Sequence, residues 1–273
     1  MFKYIDVKYT LLEHGISNNF IFSVDISFLP KSSELLQQFE NEIIAETAWF
    51  INTLPDDVTE INLSGNSLGD IQTNNIIRLI QAAKSNVASL NLCWNELYQK
   101  NGAQLAELFN TISGNIAIVN LSWNNLYLMK IDELHHAFSG INSNVIWLDL
   151  SWNYLGNQTN DFLIVLFLSI HSGVKTLDLR GNNLNQKTPY EIDLIFRHLP
   201  PGVEIVYLDD GKIYKPGSTK SNAASQTYTS QEITVTRTVS RTQSIDGPHG
   251  FFTRNDKQTN TETLSQLYYE QKY

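Results

Sequence analysis

Few side chains in this 273-residue chain have the types and spacing that nucleophilic or metal chemistry needs. The chain contains a repeated sequence pattern, and its single cysteine, Cys93, takes the position that Ser64, Ser122 and Ser151 have in other copies of the pattern. No histidine lies in the predicted strands of these copies, so none could activate the thiol. We therefore interpret Cys93 as an exposed and tolerated thiol. A lone cysteine also excludes an internal disulfide framework and is typical of a reducing compartment.

The histidine pair His135 and His136 lies on a predicted helix, without cysteines or carboxylates at the spacing of a metal site. We therefore expect the pair to be exposed or satisfied by local hydrogen bonds. The sequence also has no glycine-rich loop of the kind that binds phosphate. These observations predict a protein that is not an enzyme and has no metal or cofactor.

The dominant pattern is a 29-residue repeat in constant register. Five copies and a degenerate sixth begin at Val58, Val87, Ile116, Val145, Val174 and Val203. Positions 1, 4, 6 and 11 of the copies are aliphatic, and positions 4 and 6 alternate with polar residues, as in a strand with one buried face. Positions 19, 22, 23 and 26 are apolar at the spacing of a helix stripe. Each repeat therefore predicts a strand, a turn and a helix, which stacked copies can bury together.

An asparagine recurs at position 9 of five repeats, where the chain leaves the strand. Because an amide side chain both donates and accepts, we predict that this column joins neighbouring turns and has a structural role. The column consists of Asn66, Asn95, Asn124, Asn153 and Asn182.

The LxLxxNxL pattern with a following helix resembles the leucine-rich-repeat family, and the period is similar to that of its ribonuclease-inhibitor-like class. The resemblance covers residues 58–213 and implies an α/β solenoid. In this fold, a right-handed βα superhelix places a curved parallel sheet inside and helices outside. The resemblance also implies that partners bind at strand positions 3, 5, 7 and 8.

The flanking segments differ from the repeats. We predict that residues 1–57 form an N-terminal cap, with a strand from Phe20 and a helix over 33–53 that packs on the first repeat. Residues 214–273 are rich in serine and threonine and predict a disordered tail. Two exceptions within it are a strand from Gln231 that could extend the last sheet edge and a short C-terminal helix.

Tryptophans are concentrated on the predicted binding surface. Position 8 reads Gly65, Trp94, Trp123, Trp152, Gly181 and Asp210 through the six copies. Positions 3, 5 and 10 add Ile118, Trp147, Tyr207 and Tyr154. Exposed tryptophan is typical of contact hot spots, so we predict that these side chains bind a partner on the concave face. The alternative is that the rings pack on one another and make the edge rigid.

Acidic side chains accumulate on the same surface in the later repeats. They are Asp149, Asp178, Asp209 and Asp210, and Arg180 is the one basic residue among them. One interpretation is a solvated face that maintains solubility. The other is a site for a basic partner, with indole rings against arginine or lysine stems.

The chain has a net charge of −9, and residues 1–213 carry the acidic excess, which disfavours nucleic acid and anionic membranes as partners. The N-terminus lacks a secretory signal pattern, and no apolar run has the length of a membrane span. We expect a cytoplasmic monomer that binds another protein. The resemblance implies a narrower possibility, a bacterial effector delivered into host cytosol. A regulator of a small GTPase and a purely architectural module are the alternatives.

Overall fold

The computed structural model describes residues 8–14, 19–27 and 34–216, together with four short strands between residues 238 and 259. At the N-terminal end, strands β1 (Lys8–His14) and β2 (Asn19–Asp25) form an antiparallel pair. They are followed by helix α1 (Glu34–Thr53). Strand β2 runs parallel to the first repeat strand, and α1 packs on the first repeat helix. The N-terminal segment therefore continues both layers of the repeat array.

The repeats form one continuous parallel array of strands and helices. The repeat strands are β3 (Val58–Asn62), β4 (Ser89–Asn91), β5 (Ile118–Asn120), β6 (Trp147–Asp149), β7 (Thr176–Asp178) and β8 (Ile205–Tyr207). The repeat helices are α2 (Thr73–Gln81), α3 (Gly102–Asn110), α4 (Ile131–Ser139), α5 (Asn160–Ser169) and α6 (Pro189–Phe196). Each strand pairs in parallel with the next, and residues that pair along the β3–β8 run are 29 positions apart. This confirms the predicted register.

A short 3₁₀ turn joins strand to helix in most repeats. These turns are Leu97–Gln99, Leu126–Leu128, Leu155–Asn157 and Leu184–Gln186. Several helices then begin at a residue whose side chain accepts a hydrogen bond from the first helical turn: Asn101, Thr159 and Thr188. Such caps satisfy backbone N–H groups that the helix itself leaves unpaired. Local sequence therefore fixes where these helices start.

The core lies between the sheet and the helices. The aliphatic side chains at positions 1, 4, 6 and 11 are buried in the first five copies, for example Ile61, Leu63 and Leu68 in the first. Phenylalanines at position 23 form a second column, in which the rings of Phe109 and Phe138 lie 6.0 Å apart in an edge contact. Because positions 4 and 6 face this core, positions 3 and 5 face the opposite side. We call that side the open sheet face.

The C-terminal end of the sheet is closed by a hairpin, since β9 (Ile213–Tyr214) pairs antiparallel with β8. The remaining strands are β10 (Thr238–Ser240), β11 (Ile245–Gly247), β12 (Gly250–Phe252) and β13 (Lys257–Thr259). Strand β10 pairs with β1, at the other end of the sheet from the edge that the sequence had predicted for this segment. That edge is not open, because β9 occupies it. The predicted C-terminal helix lies outside the described residues.

Candidate functional site

A column of buried asparagines holds the strand exits in line. The backbone N–H of Asn95 donates to Oδ1 of Asn124 at 3.0 Å, and the N–H of Asn124 donates to Oδ1 of Asn153 at 2.9 Å. The Asn124 amide nitrogen donates to the Leu92 carbonyl of the previous repeat at 2.9 Å. Even the N-terminal segment joins the column, because the N–H of Ile26 donates to Asn66 at 2.6 Å. The predicted structural role of the column is confirmed.

The residues on both sides of this column have left-handed backbone conformations. At position 8, Trp94, Trp123 and Trp152 have φ values of 55°, 56° and 55°, while Gly65 and Gly181 have 70° and 67°. L-residues with a bulky side chain rarely adopt this region, and glycine adopts it without penalty. The sequence therefore places three tryptophans where the backbone favours glycine.

These three side chains form what we call the tryptophan edge (Trp94, Trp123 and Trp152). The indoles of Trp123 and Trp152 are stacked, with centroids 4.8 Å apart and an interplanar angle of 8°. Trp152 in turn lies over Gly181, where an added Cβ would be 2.3 Å from an indole carbon. Trp94 is 45% exposed and Trp123 36% exposed, and Trp152 is half-buried. The Trp123 and Trp152 rings thus pack on one another, and the edge also presents a surface to solvent.

Tyrosines extend this aromatic surface toward the 3₁₀ turns. Tyr154, at the left-handed position 10, makes an edge contact with Tyr127 at a centroid distance of 5.5 Å. Leu128, which follows Tyr127 in the turn Leu126–Leu128, is half exposed. Tyr154 therefore belongs with the tryptophan edge and the loops rather than with the open sheet face.

The remaining apolar and aromatic residues of the predicted binding surface lie on the open sheet face. Ile118 and Trp147 are paired neighbours on β5 and β6 and are 39% and 38% exposed. The Trp147 indole stacks with the ring of Tyr207, two repeats further on, at 5.9 Å. The guanidinium of Arg180 lies 5.7 Å from the centre of the Tyr207 ring. The structure thus brings Trp147 and Arg180 together at the Tyr207 ring.

The acidic residues at position 5 have a structural role that sequence reasoning missed. The side-chain oxygens of Asn62, Asn91 and Asn120 each accept a hydrogen bond from the backbone N–H two residues later. Asp149 and Asp178 do the same in the next two repeats, at 2.8 Å and 3.1 Å. The recurrence of Asn or Asp at this position was the available signal, because these side chains commonly bond to the backbone locally.

The two aspartates differ in how their charges are balanced. Asp178, expected on the exposed surface, is 1% exposed, and its carboxylate is bound by Nε and Nη2 of Arg180. The expectation of exposure was therefore wrong, since the arginine covers and neutralises the carboxylate. Burial, followed by repulsion from Asp178, raises the pKa of Asp149 to about 6. Asp149 is thus ionised at neutral pH at a cost in free energy.

Comparison with known proteins agrees with this geometry. The crystal structure of the leucine-rich repeat-containing protein LegL7 from Legionella pneumophila superposes with a TM-score of 0.59 at 30% sequence identity. The match covers 67% of this chain and 58% of the Legionella chain. This chain is a leucine-rich-repeat protein. Its strand–helix units and parallel sheet are those of the ribonuclease-inhibitor-like class. No protein-family model and no curated protein sequence matches it.

Position 7 of this leucine-rich-repeat protein differs from the prediction at Cys93. The thiol is buried, as are Ser122 and Ser151 at the same position of the next repeats. The prediction that the Cys93 thiol is exposed is therefore wrong. The Ser122 hydroxyl at this position donates to Oδ1 of Asn120 at position 5 at 2.7 Å, so its side chain points toward the neighbouring position 5 side chain instead of solvent. Burial is the main cause that raises the pKa of Cys93 to about 11. A thiol with that pKa is a poor nucleophile.

One histidine of the pair, His135, has a side-chain partner in the next repeat helix, and His136 is exposed. The Ser169 hydroxyl donates to the Val165 carbonyl and accepts from Nδ1 of His135 at 2.7 Å, which joins α4 to α5. Within the described part of the chain, no group of three or more His, Cys, Asp or Glu side chains is placed to bind a metal ion. In that same part, no helix combines the length and apolar character of a membrane span.

Proposed function

We propose that this leucine-rich-repeat protein is a non-enzymatic module that binds a partner protein through the tryptophan edge and the adjoining concave face, which is the open sheet face. The observation that carries the proposal is the left-handed backbone of Trp94, Trp123 and Trp152. A left-handed conformation costs an L-residue about 1–2 kcal/mol, and glycine avoids this cost. Gly65 and Gly181 occupy the same position in the first and fifth repeats.

Stability alone does not account for this arrangement. Stacking of Trp123 on Trp152 contributes about 0.5–1.5 kcal/mol, which offsets part of the backbone cost. Nevertheless, more than a third of the Trp94 and Trp123 side chains remains in contact with water. A partner that covers these rings would gain the apolar burial that folding leaves incomplete. Contact residues of this type are enriched at binding hot spots.

The rigid geometry favours binding as well. The asparagine column fixes each strand exit, and the stacked indoles of Trp123 and Trp152 restrict each other. Side chains that are ordered before binding lose little conformational entropy when a partner arrives. Repeat proteins commonly bind macromolecules on an extended concave surface, and the tryptophan edge adjoins such a surface.

We further propose that the module acts as a bacterial effector in host cytosol. The support is the 30% identity to a Legionella leucine-rich-repeat protein. A single buried cysteine is compatible with a reducing compartment such as cytosol. The chain spans 58% of the length of its Legionella neighbour, so the rest of that protein has no counterpart in this comparison.

A differential pull-down tests the binding surface. The variant replaces the three tryptophans of the edge by glycine, the residue that the first and fifth repeats use at this position. A matched control, Trp49→Ala, removes an exposed tryptophan from α1. We expect partner proteins that the wild type and the control retain and that the glycine variant loses. Identical partner sets for all three proteins would show that the tryptophan edge is not the contact surface.

A further inference from the structure

The open sheet face of the fourth repeat combines an apolar surface with one carboxylate. Trp147 and Asp149 are two residues apart on β6, so both side chains point to this face. Ile118 on β5 lies beside Trp147 in the sheet, and both side chains are more than one third exposed. The described structure thus leaves an exposed apolar surface next to the Asp149 carboxylate.

Arg180, the arginine near this carboxylate, binds the neighbouring Asp178 and not Asp149. Arg180 makes two contacts of 3.0 Å from Nε and one of 2.5 Å from Nη2, all with the carboxylate of Asp178. Among the side chains that the structure describes, none forms an ion pair with Asp149. The carboxylate accepts the N–H of Ser151, which is a neutral donor. Asp149 is therefore a partly buried anion for which the described residues provide no direct counter-ion.

The groups that face Asp149 do not supply the missing charge. Strand β7 contributes Asp178, which repels the carboxylate. Arg180 follows the end of this strand, and its attraction is weaker than the combined opposing effects. Strand β5 contributes Asn120, a neutral amide, at the paired position. On the more distant β4 side, the Cys93 thiol is neutral at physiological pH because of its raised pKa. A cation from outside the described residues would stabilise the ionised form of Asp149.

We propose that the open sheet face receives a lysine or arginine side chain of a partner protein, with Asp149 as its counter-ion and Trp147 against its aliphatic stem. This inference rests on the proposed function and names the chemistry of the partner. Long basic side chains pack their stems on apolar surfaces and aromatic rings while their charge meets a carboxylate. The net charge of −9 adds long-range attraction for a basic partner.

A charged peptide and its neutral analogue test the proposal without knowledge of the natural partner. We would titrate the chain with fluorescently labelled hexa-arginine and hexa-citrulline peptides, which have similar shapes and differ in charge. Asp149→Asn keeps the acceptor for Ser151, as Asn120 does for Ser122 in the previous repeat. Asp161→Asn, at an exposed position of α5, removes the same charge elsewhere and is the matched control.

We expect Asp149→Asn to weaken hexa-arginine binding about tenfold and Asp161→Asn to weaken it less than about twofold. In the wild type, affinity should also fall as the pH decreases below about 6, because protonated Asp149 has no charge to offer. The affinity of Asp149→Asn for hexa-arginine should not show this fall below about pH 6. Equal losses in the two variants, equal binding of hexa-citrulline, or the same pH step in Asp149→Asn would each overturn the proposal.

This experiment and the pull-down fail independently. If the tryptophan edge is not the contact surface, the glycine variant retains its partners while the peptide still distinguishes Asp149 from Asp161. If Asp149 is not a counter-ion, the peptide shows no difference between the two variants, while the partners remain sensitive to the tryptophans. The two results therefore separate the chemistry of the sheet face from the function of the edge.

Discussion

The second to fourth repeats and the first and fifth repeats have the same backbone at position 8 but opposite side chains. Trp94, Trp123 and Trp152 have φ values within 15° of those of Gly65 and Gly181. The asparagine column and the aliphatic core continue through both groups. The comparison teaches that the scaffold determines this backbone conformation and that the side chain at position 8 does not. Indoles at this position are therefore best explained by what they contact.

The largest effect should come from breaking the scaffold that both groups share. Asn124→Ala leaves the buried N–H groups of Asn95 and Leu97 and the Leu92 carbonyl without their partner. We expect the free energy of unfolding to fall by about 3–5 kcal/mol, measured by urea denaturation. Asn144→Ala, an exposed asparagine in a loop, should change it by less than about 0.5 kcal/mol. Similar values for both would contradict the role of the column.

The next largest effect should arise where a tryptophan repeat meets a glycine repeat. Gly181→Ala combines a left-handed φ of 67° with a Cβ only 2.3 Å from the Trp152 indole. We expect a loss of about 3 kcal/mol in the free energy of unfolding. Gly211→Ala has a similar φ of 69° but nothing within 4 Å of the new Cβ, so it should cost about 1 kcal/mol.

A double-mutant cycle isolates the contribution of the ring. When Trp152 is already glycine, Gly181→Ala should cost only the backbone term, about 1 kcal/mol. If the cost stays near 3 kcal/mol, the indole does not lie over Gly181 in solution.

Position 5 extends the comparison from shape to charge, because three early repeats have asparagine where the next two have aspartate. The folded-state pKa of Asp149, about 6, is above its ordinary value of 3.8, so the ionised form destabilises the fold at high pH. Asp149→Asn should therefore raise the free energy of unfolding by about 1–2 kcal/mol above pH 7. The gain should decrease as the pH falls through 6 and vanish below about 4.

Two further variants check this assignment. Asp161→Asn should not raise the free energy of unfolding at neutral pH, because its side chain is exposed. Asp178→Asn should be destabilising at neutral pH, because it removes the partner of Arg180. A gain from Asp178→Asn would mean that the ion pair does not stabilise the fold.

The smallest effect should distinguish two ways of removing one indole. Trp94→Gly relieves the left-handed backbone, while Trp94→Ala removes the ring and keeps the strain. We expect the glycine variant to be more stable by about 1 kcal/mol, the reverse of the usual order for these residues. Thermal denaturation of the two proteins side by side measures this difference. An alanine variant that is equal or more stable would mean that position 8 carries no backbone strain.

Sequence periodicity predicted the repeat register, the core positions and the asparagine column. Each of these features recurs in several copies, so a change in one copy does not hide the pattern. Periodicity also predicted that Trp94 and Trp123 are exposed. It did not predict the burial of Cys93 and Asp178, because periodicity gives the face of a strand but not which neighbouring side chain covers it. The pairing of β10 with β1 was missed for a related reason, since sheet edges are matched over long sequence distances.

The pairing of equivalent atoms 29 residues apart makes the middle repeats interchangeable units. A duplication of residues 116–144 would insert one complete strand, turn and helix, with its own asparagine to join the column on both sides. Such an event would lengthen the row of indoles by one step of about 4.8 Å and leave the frame of every other repeat intact. Recombination between repeats at the level of the gene could thus change the length of the binding surface one repeat at a time, without altering the packing of the core.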